Sequence, residues 1–264
     1  LVTMCDTYLG KVLDMMDEYD LWKDTMLIVN TDHGFLLTEH NWWGKVREPI
    51  YDELAHTPFF LWDPRSGVRN EHRGALCQTI DIAPTLLDFF NVPIPQDMQG
   101  KALRDTVASD QPVREYALFG MHGFHVNVTD GRYVYMRTPV REHLDDLYDY
   151  MQTPTSYPNS VTLDKLRQGQ MCWDFHFTKG TPLLRLPGHC MGMIPNDPEA
   201  LYAPDGLYGE GNLLFDLEQD PKQLQPLHDE AVESRMIEAM KQLMEENEAP
   251  AEQYVRLGLS PENT

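Results

Sequence analysis

The sequence predicts an α/β region followed by a smaller α+β subdomain with an antiparallel sheet and a C-terminal helix. Three observations predict it. Two short apolar runs, Met26–Val29 and Pro58–Trp62, alternate with helical stripes in the first part of the chain. Beyond about residue 105 the pattern becomes apolar–polar alternation around Asp130-Gly131, a two-residue hairpin signal. From Asp229 onward, Val232, Met236, Met240 and Leu243 recur at helical steps. The expected division is therefore 1–105 and 106–264.

The first helix rests on Val2, Cys5, Leu9, Val12, Leu13 and Met16, spaced by threes and fours as on one packed face. Asp20 to Asp24 breaks it. Met26-Leu27-Ile28-Val29 suits a strand buried on both faces of a parallel sheet. Residues 35–56, with Trp42, Trp43, Gly44 and Pro49, read as an irregular loop. Pro58 to Trp62 reads as a second core strand, with proline tolerable only at its start. Asp81 is placed to cap a helix from Ile82 to Phe90, whose Pro84 falls in the first turn. Helix, strand, strand, helix is the grammar of an α/β core. In the second region Val126, Val128, Tyr133 and Tyr135 supply the hairpin strands, and Asn212 to Leu217 a further strand. Residues 138–210, rich in Pro, Gly and Met, show too little periodicity to assign.

Composition narrows the function. The chain has 264 residues, 42% hydrophobic and 24% charged, which is globular rather than disordered. Its 42 acidic against 21 basic residues give a net charge of -21 and argue against nucleic acid and anionic membranes as partners. No apolar run is long enough to span a bilayer. The 4 cysteines, at 5, 77, 172 and 190, have neither disulfide-scaffold nor zinc-like spacing and read as isolated thiols. Asn127-Val128-Thr129 is a sequon of a kind that often arises by chance. Leu1 opens directly into a helical pattern with no targeting segment, so the compartment is not readable.

The sharpest chemistry lies at Asp32-His33-Gly34. In open α/β sheets ligands bind beyond the carboxyl ends of strands. A carboxylate and an imidazole on adjacent residues there can face one cation, with Gly34 letting the backbone bend away. Alone, the tripeptide also suits an ordinary turn. Its setting is more specific: Tyr8-Leu9-Gly10-Lys11-Val12-Leu13, Leu21-Trp22-Lys23-Asp24-Thr25, Asp32-His33-Gly34, Glu39-His40-Asn41-Trp42-Trp43-Gly44-Lys45 and Tyr51-Asp52-Glu53 follow in order. Asp81-Ile82-Ala83-Pro84-Thr85-Leu86-Leu87 and Leu214-Phe215-Asp216-Leu217 with Asp220-Pro221 come later.

This series resembles the sulfatase family of the alkaline phosphatase-like superfamily, well over residues 1–100 and loosely over 205–250. The resemblance implies a partial alkaline phosphatase-like core in the first region. It implies hydrolysis of a small-molecule or glycan sulfate ester, with Asp32 and His33 as metal ligands and Lys45 as the catalytic cation on the sulfuryl oxygens. Calcium is the metal expected first, and a histidine ligand leaves manganese or zinc open. His40, His56 and Trp43 are the candidate substrate-binding residues. His40 also reads as a packed, hydrogen-bonded residue, and His56 stands where many sulfatases have Arg. Trp42 and Trp43 suit a sugar platform or the core, and His122 and His125 a cleft or structural role.

The family's nucleophile is a formylglycine made within Cys/Ser-x-Pro-x-Arg, and no such motif occurs here; Ser156-Tyr157-Pro158-Asn159-Ser160 lacks the Arg. The expectation is a C-terminal portion of a longer enzyme, silent by itself and prone to self-association along an exposed sheet edge. Two alternatives stand beside it. One is a metal-dependent phosphodiester or phosphonate hydrolase of the same superfamily, separable by metal content and a phosphate-ester assay. The other is a non-catalytic metal- or glycan-binding module.

Overall fold

The computed structural model describes residues 1–45, 49–154, 161–188, 198–204 and 206–259. The Ser156–Ser160 stretch and Cys190 lie outside them. In chain order the first elements are α1 (Val2–Glu18), β1 (Leu27–Asn30), β2 (Leu36–Leu37), β3 (Trp43–Gly44), α2 (Asp52–Ala55), β4 (Phe59–Trp62), α3 (Ile82–Phe89) and α4 (Arg104–Ser109). There follow β5 (Ala117–Gly120), β6 (Val126–Thr129), β7 (Tyr133–Arg137), β8 (Tyr148–Met151), α5 (Leu163–Arg167), β9 (Gln170–Cys172) and β10 (Leu183–Pro187). The last are α6 (Pro198–Leu201), β11 (Leu213–Asp216), α7 (Glu230–Glu246) and α8 (Ala251–Arg256). The architecture is mixed α/β with several small antiparallel sheets. The chain divides into two compact units, Leu1–Gly34 with His56–Glu115, and Phe35–Ala55 with Tyr116–Thr264.

In the first unit β1 and β4 pair antiparallel, Leu27 opposite Trp62 and Asn30 opposite Phe59. The parallel pairing expected for these runs is corrected. A parallel neighbour needs a crossover, usually a helix, laid back on the sheet. The intervening chain instead forms short pieces that belong to the other unit, and enters β4 at the end where it leaves β1, Phe59 opposite Asn30. Nor is β4 buried on both faces, since Phe60 is exposed. Trp62 meets Trp22 edge-on at 5.8 Å and donates its indole N–H to the Trp22 carbonyl at 3.1 Å. α1 forms as its stripe predicts, but only Met16 is fully buried; Val2, Cys5 and Val12 stay exposed. Asp81 does not cap α3 through its side chain. Fully buried, it accepts from the Gln78 and Lys101 amides at 2.7 and 2.8 Å and takes a two-pronged Arg114 pair at 2.5 and 2.6 Å.

The second unit is built on a four-stranded antiparallel sheet in the order β11-β7-β6-β5. Period-two alternation divides its two faces. Val128, Tyr135 and Leu214 meet Met236, Ala239, Met240 and Met244 of α7. Val134, Met136, Leu213 and Phe215 face Tyr51, Phe119 and Leu217. Asp229 caps α7 by accepting from the Ala231 and Val232 amides. The hairpin closes as expected: Asp130 accepts from the Arg132 and Tyr133 amides at 3.0 and 2.7 Å, and Gly131 supplies a φ of 92°. Asn127 of the sequon is fully buried in β6, so that triplet presents no acceptor. The unassigned middle yields a second sheet, β8-β10-β9. Residues 35–55 are not simply a loop. β2 and β3 form a two-stranded ribbon, and Leu36, Ile50 and Leu54 make a small core with Phe119 and Met121. No helix among the described residues is long and apolar enough to cross a membrane.

Candidate functional site

The chain leaves β1 at Asn30, and the next four residues turn on their own side chains. Thr31 Oγ1 lies 3.3 Å from both Asp32 Oδ1 and the His33 carbonyl, and Asp32 Oδ1 accepts from the His33 amide at 3.1 Å. His33 Nδ1 sits 2.9 Å from the Gly34 carbonyl oxygen. A carbonyl only accepts, so Nδ1 carries the proton of this contact. Nε2 faces Asp32 Oδ2 at 3.2 Å. A backbone carbonyl that fixes one ring nitrogen and so directs the other is the usual arrangement behind a metal-binding histidine. Desolvation of the Asp32 carboxylate is outweighed by backbone N–H donors and the adjacent His33, which hold it below the usual carboxylate range.

These two side chains supply part of a cation site. Calcium takes roughly six to eight oxygen ligands, and no cluster of three or more His, Cys, Asp or Glu suited to a metal occurs among the described residues. The fit is therefore to two positions of a coordination sphere, and no chemical step is derived through the ion. His56, in the same unit, is exposed just ahead of β4.

His40, Trp43 and Lys45 belong to the second unit. The turn between β2 and β3 holds three non-glycine residues at positive φ: Thr38 at 102°, His40 at 51° and Asn41 at 56°. Such residues persist only where the surroundings over-determine them. Here the Thr38 amide donates to the Trp42 carbonyl at 2.9 Å, and the Glu39 carboxylate accepts from the Leu37 amide. The Glu39 amide, and next the Leu37 amide, hold the Glu39 carboxyl below its ordinary value. The His40 ring is stacked on Tyr51, and its Nε2 stands 3.6 Å from Glu53 Oε2. The ring is packed, but at that distance Nε2 makes no hydrogen bond to Glu53. Trp43 is 66% exposed and meets Phe35 edge-on at 6.2 Å. Lys45 is exposed directly after β3.

Sequence reasoning passed over Tyr51 and Glu53 as partners of His40, although both stand in the Tyr51-Asp52-Glu53 triplet. It also passed over Asp149, which His122 Nε2 meets at 2.9 Å. Twenty-seven residues apart in sequence, that pair leaves no local signal. The cysteines Cys5, Cys77 and Cys172 are free thiols.

The family model described as N-sulphoglucosamine sulphohydrolase, C-terminal, matches residues 38–170. An arylsulfatase of Clostridium perfringens is 30% identical over 126 residues, covering 47% of this chain and 26% of that protein. An N-acetylglucosamine-6-O-sulfatase of Bacteroides thetaiotaomicron is 28% identical over 109 residues, 41% of this chain and 19% of that protein. The match thus spans about a quarter or less of these relatives' length. A solved structure from work on glycosaminoglycan metabolism by Bacteroides thetaiotaomicron superposes with a TM-score of 0.60 at 17% identity, covering 97% of this chain and 44% of that one. Another, solved in complex with its substrate D-glucosamine-2-N,6-O-disulfate, gives 0.57 at 14%, covering 95% and 40%. At these identities the likeness is one of fold.

Proposed function

The chain belongs to the sulfatase family, through the C-terminal region that it shares with N-sulphoglucosamine sulphohydrolase, and on that premise we propose that it is the C-terminal part of an enzyme hydrolysing sulfate monoesters of glycans or small molecules. The observation that carries the reading is the Asp32–His33 pair: two donors facing each other at 3.2 Å beyond a strand end, with the imidazole held by the Gly34 carbonyl. In this reading Asp32 and His33 are two ligands of a divalent cation, calcium first, with manganese or zinc admitted by the nitrogen donor. When bound, the cation supplies positive charge against the ester's oxygens.

Lys45 places a compact, mobile point charge where negative charge gathers on the transferring sulfuryl group. Trp43 offers an exposed indole face to a sugar ring. His40 acts through the ribbon it holds, and His56 is assigned to substrate binding. The nucleophile is assigned to a formylglycine upstream of Leu1, because no Cys/Ser-x-Pro-x-Arg motif lies within the sequence.

The test is sulfate release by the complete polypeptide that contains this chain, offered aryl sulfates, sulfated glucosamines and phosphonate monoesters in parallel. Release from a sulfate ester supports the reading. Turnover confined to the phosphorus esters overturns it in favour of a phosphonate or phosphodiester hydrolase, the reading to which the His33 nitrogen donor also lends itself.

A further inference from the structure

The turn between β5 and β6 is more tightly held than a surface loop requires. It runs Met121-His122-Gly123-Phe124, closed by the Phe124 amide donating to the Met121 carbonyl at 3.1 Å, with Gly123 at φ 85°. Tyr208 donates its hydroxyl to the Gly123 carbonyl at 3.1 Å. The buried Arg256 guanidinium donates to the Gly123 and Phe124 carbonyls at 3.2 and 3.1 Å. Met121 is packed on one side against Leu36, Ile50 and Leu54, the small core beneath the ribbon of Trp43, and on the other against Phe124, Leu201 and Tyr208. His122 alone of this turn projects, with its side chain 48% exposed.

What it projects is an oriented imidazole. Nε2 meets Asp149 Oδ1 at 2.9 Å, and the other Asp149 oxygen is held by Lys165 Nζ at 2.9 Å. Lys165 sits in α5, whose first turn is capped by Thr162. Desolvation of the Asp149 carboxyl is outweighed by its two cationic or N–H partners, so it is held low and stays an acceptor. The Asp149 carboxylate only accepts, so His122 carries a proton on Nε2; Nδ1 has no hydrogen-bond partner among the described residues and is the ring nitrogen left for a ligand. An exposed ion pair adds little stability and does not need a turn fixed from two sides by Tyr208 and Arg256. A recognition group does, because its geometry must be set before the ligand arrives.

Resting on the sulfatase reading and deepening it, we propose that the His122–Asp149 pair is a substrate subsite in which His122 Nδ1 makes a hydrogen bond with a sugar hydroxyl of the sulfated ligand. His122 is then a specificity-determining residue on the same unit as Trp43 and Lys45.

Two measurements test it. In the first, imidazole ¹⁵N signals of the chain are followed while N-acetylglucosamine 6-sulfate, and separately inorganic sulfate, is added. The sugar should shift the His122 signals and sulfate alone should not; no shift with the sugar, or an equal shift with both, overturns the subsite. In the second, the complete polypeptide carrying His122→Ala should show KM for the sugar sulfate raised roughly tenfold, the scale of one lost hydrogen bond, with kcat nearly kept. His122→Asn, which keeps a hydrogen-bonding group near the Nδ1 position, should recover most of the loss. Unchanged KM in His122→Ala overturns the proposal. If the wild-type polypeptide releases no sulfate while the sugar still shifts His122, the sulfatase reading falls and the subsite stands.

Discussion

The imidazole of His40 lies flat on the ring of Tyr51, with centroids 3.5 Å apart and planes 3° from parallel. Tyr51 is backed in turn by Phe215 of β11 at 6.3 Å. The β2–β3 ribbon is thus riveted to the main sheet of its unit through one aromatic column. The adjoining Asp52 amide is fixed by the buried Gln223 side chain at 2.6 Å. That column is what holds the turn's left-handed residues against their own preference.

Removing the strain and removing the rivet should act in opposite directions. Thr38 is β-branched at φ 102°, so Thr38→Gly should stabilise the unit by about 1 kcal/mol. Tyr51→Ala deletes a ring held between two others and should cost about 3 kcal/mol. Urea unfolding of the two variants checks both signs; a destabilised Thr38→Gly would show that the turn is not strained.

Asp32 and His33 are tested through bound metal. In the complete polypeptide, Asp32→Ala and His33→Ala should each lower metal stoichiometry and abolish turnover, since each removes one donor from a shared ion. Elemental analysis after dialysis, read beside activity, decides it. Full activity with unchanged metal in either variant removes that residue from the site.

Parts of this were legible in the sequence and parts were not, for identifiable reasons. The hairpin announces itself because Asp130-Gly131 is local turn chemistry, and α7 because Asp229 and a stripe of about three turns are local too. β8, β9 and β10 escape because strands of three to five residues are hard to read without a turn signal such as Asp130-Gly131 between them, and Tyr148-Asp149-Tyr150 interposes a carboxylate that serves His122 and Lys165. The antiparallel pairing of β1 and β4 escapes because an apolar run does not state its direction. At the site, Asp32 and His33 were legible as adjacent donors after an apolar run. The left-handed backbone at Thr38, His40 and Asn41 was not, because no glycine stands there to mark it.

Lys45 is tested by kinetics. If its ammonium meets the sulfuryl oxygens, Lys45→Ala in the complete polypeptide should lower kcat/KM by roughly a hundredfold or more. Metal content and thermal stability should hold, because the side chain is exposed. Near-wild-type kinetics would return Lys45 to the solvated surface.

Acid should weaken the first unit through Asp63. This carboxylate is 1% exposed and forks with Arg65 at 2.7 to 3.0 Å. Burial pushes its pKa up, but the Arg65 hydrogen bonds outweigh that and hold it below the ordinary value. A depressed folded value contributes stability that is present above the unfolded pKa of about 3.9 and lost as pH falls through the folded one. Asp63→Asn should therefore flatten the acid limb of the urea midpoint below about pH 4 and cost about 2 kcal/mol at neutral pH. Parallel limbs for variant and parent would show that Asp63 is not the group involved.

The first unit should also drive self-association of the 264-residue chain. Its sheet is two-stranded among the described residues, so β1 and β4 each keep one outer edge on which no described strand pairs. Such an edge is a template for another strand. An exposed apolar side chain lies in the ladder itself: Phe60 on β4 is 66% exposed. The net charge of -21 opposes association over long range, but salt screens that repulsion within roughly ten ångströms at 0.1 M. Sedimentation should therefore show association that grows with protein concentration and with salt. Phe60→Lys places a charge beside the open edge and should shift the equilibrium toward monomer. Association that weakens as salt is raised would point to complementary charges, and the edge would then not be its cause.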